Sequence, residues 1–422
     1  MFGRLRRSLT PDLRPFRESR DYRLLTTGAL ITGLGTQASL VALPYQVYVT
    51  THEPVLVGLL GLVELAPLVA ASLFGGALAD RYDRRKLLLL CQVLLVTFAG
   101  GLAAASFLGT PPLWLLYVLA GALAGAGSLE RVARASITPN VVRPAVLRPA
   151  ISNMFGLMQL TMVVGPALGG VLIAAWDVQA AYTVDAVSCV GMTIAAALLS
   201  PQPPIGAEHE PVFRSIARGL RFVSGERALL GSFAIDLLAM TFGMPRALFP
   251  VMSVTLYHAG AEGTGALFAA VSAGATVAAL TTGWLSHARW LGRIVIGAVT
   301  VWGIAIALAG LMPSLALAAL LLAVAGAADS VSAVCRSTIS QTLTPDKMRG
   351  RMSSVFMLVV AGGPRLGDVE SGSVASLTTT RISVVSGGIA CLAGVALIAV
   401  AFPELAGYDG DTAEARTVPA VA

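Results

Sequence analysis

Apolar residues in this chain fall into long unbroken runs, with neither the alternation of strands nor the one-sided stripes of surface helices. The runs lie near 24–46, 55–79, 87–108, 113–133, 149–174, 180–200, 229–256, 263–286, 294–312, 314–335, 352–376 and 381–401. Each is close to the roughly 20 residues that a helix needs to cross a bilayer core. Several gaps are tight turns rich in Gly, Pro or Thr, such as Gly109-Thr110-Pro111-Pro112. One run alone would fit a soluble core helix, but twelve do not. The pattern predicts an all-α membrane protein with twelve transmembrane helices.

Basic residues set the orientation, because Lys and Arg accumulate on the cytoplasmic side. With the N-terminus inside, 26 of the 29 Lys and Arg fall in inner segments: 1–23, 80–86, 130–148, 201–228, 287–293, 336–351 and the tail. Arg381 sits at the edge of the last outer turn, and Arg246 and Arg365 lie within spans. Omitting one helix would scramble this asymmetry. Both termini are expected in the cytoplasm, in a plasma (inner) membrane protein.

Composition agrees. Hydrophobic residues make up 56% of the 422 and charged residues 12%, against roughly a quarter charged in soluble proteins. That excludes a soluble fold and intrinsic disorder. The net charge of +6 is a topology signal, and no nucleic-acid-binding pattern accompanies it. The basic N-terminus leads into an apolar run without a small-residue cleavage site, so a retained first span is expected. Cys91, Cys189, Cys335 and Cys391 stand singly without metal-ligand spacing and read as inert packing residues. His52, His209, His258 and His287 lie in separate turns, so neither a metal site nor a hydrolytic constellation is indicated, and no enzyme is expected.

The longest internal gap divides the spans six and six. The expected organisation is a cytoplasmic segment 1–23, a six-helix bundle 24–200, a loop 201–228, a second bundle 229–401 and a tail 402–422. The halves repeat. Gly165-Pro166-Ala167-Leu168-Gly169-Gly170-Val171 in span 5 matches Gly363-Pro364-Arg365-Leu366-Gly367-Asp368-Val369 in span 11. Arg134-Ala135-Ser136-Ile137 matches Arg336-Ser337-Thr338-Ile339 after spans 4 and 10. Parallel six-helix halves are a transporter architecture that holds substrate near the midplane.

The turn after span 2 reads Gly76-Ala77-Leu78-Ala79-Asp80-Arg81-Tyr82-Asp83-Arg84-Arg85-Lys86. It resembles the major facilitator signature G-x-L-A-D-R-x-G-R-R-K, with Asp83 in place of the usual glycine. The resemblance implies the major facilitator fold and a cytoplasmic gate. An acidic Asp80 facing the positive end of span 11 gains about 0.3–1 kcal/mol and would latch the inner side. Arg81, Arg84 and Arg85 would then anchor topology. Gly165-Pro166-x-x-Gly169-Gly170 resembles the exporter-associated motif of span 5, where glycines permit close helix approach and proline removes a backbone bond. The segments 41–48 and 219–223 are similar to the branch that contains the enterobactin exporter and drug effluxers. The span 4 arginine and span 1 acid of many drug/proton antiporters are absent; Gly35-Thr36-Gln37 stands in span 1.

Ionisable residues inside spans are costly and mark pathways or relays. The acids are Glu64, Asp185, Asp236, Asp329, Asp368 and Glu370; the bases are Arg246 and Arg365. Arg365 and Asp368 share a helix face and either neutralise one another or serve separate partners. In the resembled fold span 2 faces span 11, so a Glu64–Arg365 contact closing the outer side is expected. Arg246, after Pro245, meets either an anionic substrate group or a carboxylate from span 11. Asp236 is a candidate proton carrier, and Asp185 a bundle brace. Gln37, Gln46, Asn153, Gln159 and Met240 are weaker cavity candidates. Trp114, Trp176, Trp284 and Trp290 fit interfacial belts.

No G-x-x-x-x-G-K-[ST] loop is present, so no ATP engine and no bound cofactor are expected, and a proton gradient is the expected driver. The expected function is a secondary-active exporter of an amphipathic small molecule, such as a drug, siderophore or other metabolite, acting as a monomeric antiporter by alternating access. An importer on the same fold and a non-transporting receptor or scaffold are the alternatives.

Overall fold

The computed structural model describes residues 12–203, 212–345 and 348–410. The expectations for the first eleven residues, for 204–211 and for the last twelve lie outside the described residues. Twelve long helices account for the apolar runs. In the first half they are α1 (Arg20–Thr51), α2 (Pro54–Arg81), α3 (Arg84–Phe107), α4 (Leu113–Val141), α5 (Leu147–Trp176) and α6 (Val178–Ala197). In the second they are α7 (Arg227–Phe242, continuing in broken turns to Leu256), α8 (Gly260–Thr281), α9 (Leu291–Leu311), α10 (Leu315–Leu343), α11 (Arg349–Leu377) and α12 (Thr380–Ala401). Eleven of them are long and apolar enough to cross a membrane. The twelfth, α11, is long enough at 29 residues but carries five charged side chains.

The starts of these helices follow from local chemistry. Asp83 caps α3 through the backbone N–H groups of Arg85 and Lys86, and Asp177 caps α6 through that of Val178. Ser314 and Thr379 do the same for α10 and α12. Each cap satisfies a donor that the first helical turn cannot. The turns after α1 and α7 each hold a histidine in the left-handed region, His52 at φ 55° and His258 at φ 51°. That shared, sparsely populated geometry is a further repeat between the halves.

Several ends differ from the apolar runs. α4 continues through Val141 and α10 through Leu343, so Arg134 and Arg336 belong to helices rather than to turns. Polar residues at helix ends extend a span beyond its apolar stretch without breaking its hydrogen bonding. The loop expected over 201–228 contains a 14-residue amphipathic helix, Val212–Gly225. Its Val223 packs with Met352 and Val355 of α11. The tail begins with a short helix, Pro403–Ala406, pinned by a 2.7 Å ion pair between Glu404 and Arg227.

Contacts group the chain into two units. The first comprises residues 1–43 and 70–208. Its core joins Leu25 of α1, Leu87 and Leu88 of α3, Ala133 and Ile137 of α4, and Met192 of α6. The second comprises 209–422 together with residues 44–69, the α1–α2 hairpin. Outward-facing Leu90, Val187, Leu280, Leu320 and Val400 are exposed, the arrangement a lipid solvent favours. Trp114, Trp176, Trp284 and Trp290 are exposed as expected of anchors, while Trp302 is buried. All four cysteines are buried and unpaired.

Candidate functional site

The second unit gathers most of the intramembrane charges, and the break in α7 organises them. Gly243-Met244-Pro245 interrupts the helix, since proline offers no N–H and clashes with the preceding turn. Backbone groups freed inside a membrane must find other partners. The Gly243 carbonyl accepts a 2.8 Å hydrogen bond from the Trp302 indole of α9. The Ala247 N–H donates to Asp368 Oδ1 of α11 at 3.1 Å. The second oxygen of Asp368 lies 3.5 Å from the Arg246 guanidinium. Of the two partners open to Arg246, the structure brings up the carboxylate from α11.

The α1–α2 hairpin lies along α11. The Val55 N–H donates to Ser376 Oγ at 2.9 Å. A Cβ at Gly58 would collide with the Asp368 carbonyl, and one at Gly61 would sit 2.9 Å from Asp368 Oδ2. Glycine at both positions therefore lets α2 cross directly over the acid. One turn further on, Glu64 meets Arg365 at 3.2 Å, the expected pairing. Arg365 and Asp368 thus serve separate partners, although they share a helix. Arg365 Nε is buried without a hydrogen-bond partner, so the seam is not fully satisfied. Glu370, also on α11, makes no ion pair among the described residues and stays apart from this network.

A second cluster forms between α7 and α10. Asp236 lies 2.9 Å from Arg336, and Asp329 lies 3.6 Å from the other terminal nitrogen of the same guanidinium. Ser332, one turn before Arg336, accepts a further hydrogen bond at 3.1 Å. Sequence reasoning placed Arg336 in a cytoplasmic turn and so missed it. The signal available was its match to Arg134 at the same point of the repeat.

In the first unit, the gate-motif residues build a compact turn. Asp83 has φ −57°, a conformation open to any residue, so replacing the motif's glycine strains nothing and adds the α3 cap. Arg84 is buried and donates to the carbonyls of Ala79 and Ser136, and lies 3.4 Å from Asp80. Arg85 donates to the carbonyls of Ala196 and Ala197 at the end of α6. These two arginines tie the turn to α4 and α6, beyond marking topology. A Cβ at Gly76 would meet open space, and nothing in this unit explains the glycine there. Arg81 lies 5.9 Å from the centre of the Tyr82 ring.

The α5 glycines have a packing role. A Cβ at Gly165 would strike Gln37 of α1, and one at Gly169 would lie 2.7 Å from Ala38 Cα. Pro166 and Gly170 are buried on the same helix. The second unit repeats the device, with Gly363 and Gly367 of α11 against Met240 and Thr241 of α7. Asp185 braces α6 against α1 by accepting from Thr36 at 3.1 Å. Asn153 donates to the Asp12 carbonyl. Among the described residues no group of His, Cys, Asp and Glu has the geometry of a metal site.

The comparisons agree with this architecture. The family profile described as transmembrane secretion effector matches residues 10–421. The chain is 31% identical to the enterobactin exporter EntS of Shigella boydii over 367 residues, 85% of this chain and 86% of that one. It is 30% identical to the enterobactin exporter EntS of Citrobacter koseri over 365 residues, with the same coverage. Among solved structures, the nucleoside transporter NupG aligns with a TM-score of 0.70 at 14% identity, covering 92% of this chain and all of that one. A bacterial homologue of the human lysosomal transporter Spinster, solved inward-facing and unoccupied, aligns at 0.69 with 15% identity, covering 96% of this chain. At such identities the solved structures speak for the fold, which is that of the major facilitator superfamily. With the profile spanning almost its whole length, the chain belongs to the transmembrane secretion effector family of multi-pass major facilitator exporters.

Proposed function

We propose that this exporter moves an amphipathic small molecule of the siderophore or drug-like class out of the cell in exchange for protons, with both termini in the cytoplasm. The observation that carries the substrate class is the identity to enterobactin exporters along 85% of the chain. The orientation rests on the 26 of 29 basic residues in alternate segments. The geometry suits alternating access. The seam between the α1–α2 hairpin and α11 combines close helix packing at Gly58 and Gly61 with the Glu64–Arg365 ion pair and the Val55–Ser376 hydrogen bond. Charged groups can exchange such partners for water when a path opens, and the unsatisfied Arg365 Nε lowers the cost of parting.

The test uses inverted membrane vesicles with an imposed acid interior and enterobactin as the probe. Accumulation inside the vesicles that collapses with a protonophore is expected. Uptake indifferent to the gradient would remove proton coupling, and movement in the opposite sense would remove the direction. Protease protection of terminal tags in the same vesicles reads the orientation.

A further inference from the structure

We propose that Asp329, Arg336 and Asp236 form the proton-carrying site of this exporter, with the transported proton held on Asp329. The inference rests on the antiport reading above and names the residues that would perform it.

Two carboxylates share one guanidinium: Asp236 on α7 at 2.9 Å and Asp329 on α10 at 3.6 Å. Fully ionised, the cluster would carry one net negative charge within the bundle. The charged groups that face Asp236 are Arg336 and Asp329, and those that face Asp329 are Arg336 and Asp236. Other charges on the helices packed against α10 sit far along them. Glu262 is in the first turn of α8 and Arg293 in the first turn of α9. Asp329 lies mid-helix, about 21 Å from either end of α10 at about 1.5 Å per residue. Arg227 opens α7 and is paired with Glu404. Arg246, Arg365 and Asp368 are committed to the seam with Glu64. Among the described residues no second cation pairs with either acid of the cluster, and an unpaired buried charge is neutralised by a proton instead.

Geometry decides which acid holds it. The Asp236 side chain is 4% exposed and takes the short contact with Arg336, so it keeps the charge. The Asp329 side chain is 35% exposed and takes the long contact. Of the two acids it is the less enclosed and the more weakly held by Arg336, hence the readier to take up and release a proton. When Asp329 releases its proton, its carboxylate competes with Asp236 for the guanidinium. Arg336 is then pulled between α7 and α10, which links proton occupancy to the packing of two helices. The step moves one proton from the Asp329 carboxyl to water and back, with no other bond made or broken. Sequence reasoning favoured Asp236 as carrier; the contacts move that role to Asp329.

The first measurement needs no substrate. Infrared difference spectra of the purified full-length chain in nanodiscs, recorded between acid and alkaline pH, read protonated carboxyl groups. Asp329→Asn is expected to lose one such signal. Arg336→Gln is expected to gain one, because both acids then need a proton. Asp329→Glu should keep it. An unchanged spectrum in Asp329→Asn overturns the proposal, whatever the protein transports.

The second measurement uses proteoliposomes with enterobactin as the probe. Asp329→Asn should lose accumulation driven by a pH gradient, and Asp329→Glu should keep part of it. An elution profile and thermal unfolding midpoint in detergent matching the wild type show that Asp329→Asn is folded. If the wild type exchanges the probe but ignores the gradient, the antiport reading fails. If the wild type responds and Asp329→Asn responds equally, this assignment fails while antiport stands.

Discussion

Glu64 of α2 lies 3.2 Å from Arg365 of α11, a pairing across 301 positions of sequence. Both side chains retain partial exposure, at 25% and 16%. Their contribution therefore falls below the ~3–5 kcal/mol cost of breaking a fully buried pair, at roughly 1–3 kcal/mol. Glu64→Arg or Arg365→Glu alone is expected to impair export. The double reversal is expected to restore part of it, because it rebuilds the contact with opposite polarity. Probe efflux in the three variants checks this; a double variant no better than the singles would count against the pair.

Gly61 makes the close crossing of α2 over α11 possible. Its missing Cβ would stand 2.9 Å from Asp368 Oδ2 and 3.0 Å from Asp368 Cβ. Gly61→Val is expected to push the hairpin off α11 and reduce export strongly, whereas Gly76→Ala, with open space around it, leaves packing in its own unit unchanged. Thermal unfolding of the two variants in detergent distinguishes them.

Trp302 is the buried tryptophan, and its indole satisfies the carbonyl freed at Gly243. Trp302→Phe keeps most of the ring but leaves that carbonyl unpaired, a loss of about 1–3 kcal/mol. A lower midpoint of thermal unfolding is the expected reading, and an unchanged midpoint would mean that water replaces the indole.

Asp83 departs from the signature yet caps α3. Asp83→Ala is expected to cost about 1 kcal/mol, and Asp83→Gly, which restores the family pattern, only a few tenths. Denaturation in mixed micelles can rank the two. Asp80→Asn tests the latch separately: export should fall, while Arg84 still holds the turn through the Ala79 and Ser136 carbonyls. Normal export in Asp80→Asn would remove the latch.

Eleven spans were legible because lipid imposes on a crossing segment a requirement written in apolar length, and α11, with its five charged side chains, was legible from its length and its match to span 5. The ends were less so. Arg134-Ala135-Ser136-Ile137 and Arg336-Ser337-Thr338-Ile339 look like turns by hydropathy, yet helical hydrogen bonding continues through both. Reading basic residues as loop markers concealed Arg336, which is buried. The Glu64–Arg365 contact was accessible from the resembled fold. The division of Arg365 and Asp368 between separate partners was not, because it depends on Gly58 and Gly61 admitting α2 and on the α7 break offering the Ala247 N–H. Sharing a helix does not settle the partners of Arg365 and Asp368, and pairing across helices depends on rotations that hydropathy does not encode.

The interruption of α7 has a consequence for how this chain tolerates change. Asp236 belongs to the regular stem of the helix and Arg246 to the short turns beyond Pro245, so their clusters hang from opposite sides of a joint. The joint is held by Trp302 and Asp368, neither of which belongs to α7. Rigid helices transmit a disturbance along their length, whereas this one is articulated. Substitutions in the two clusters should therefore combine almost additively in stability measurements. Each half of α7 can drift in sequence without obliging the other to follow.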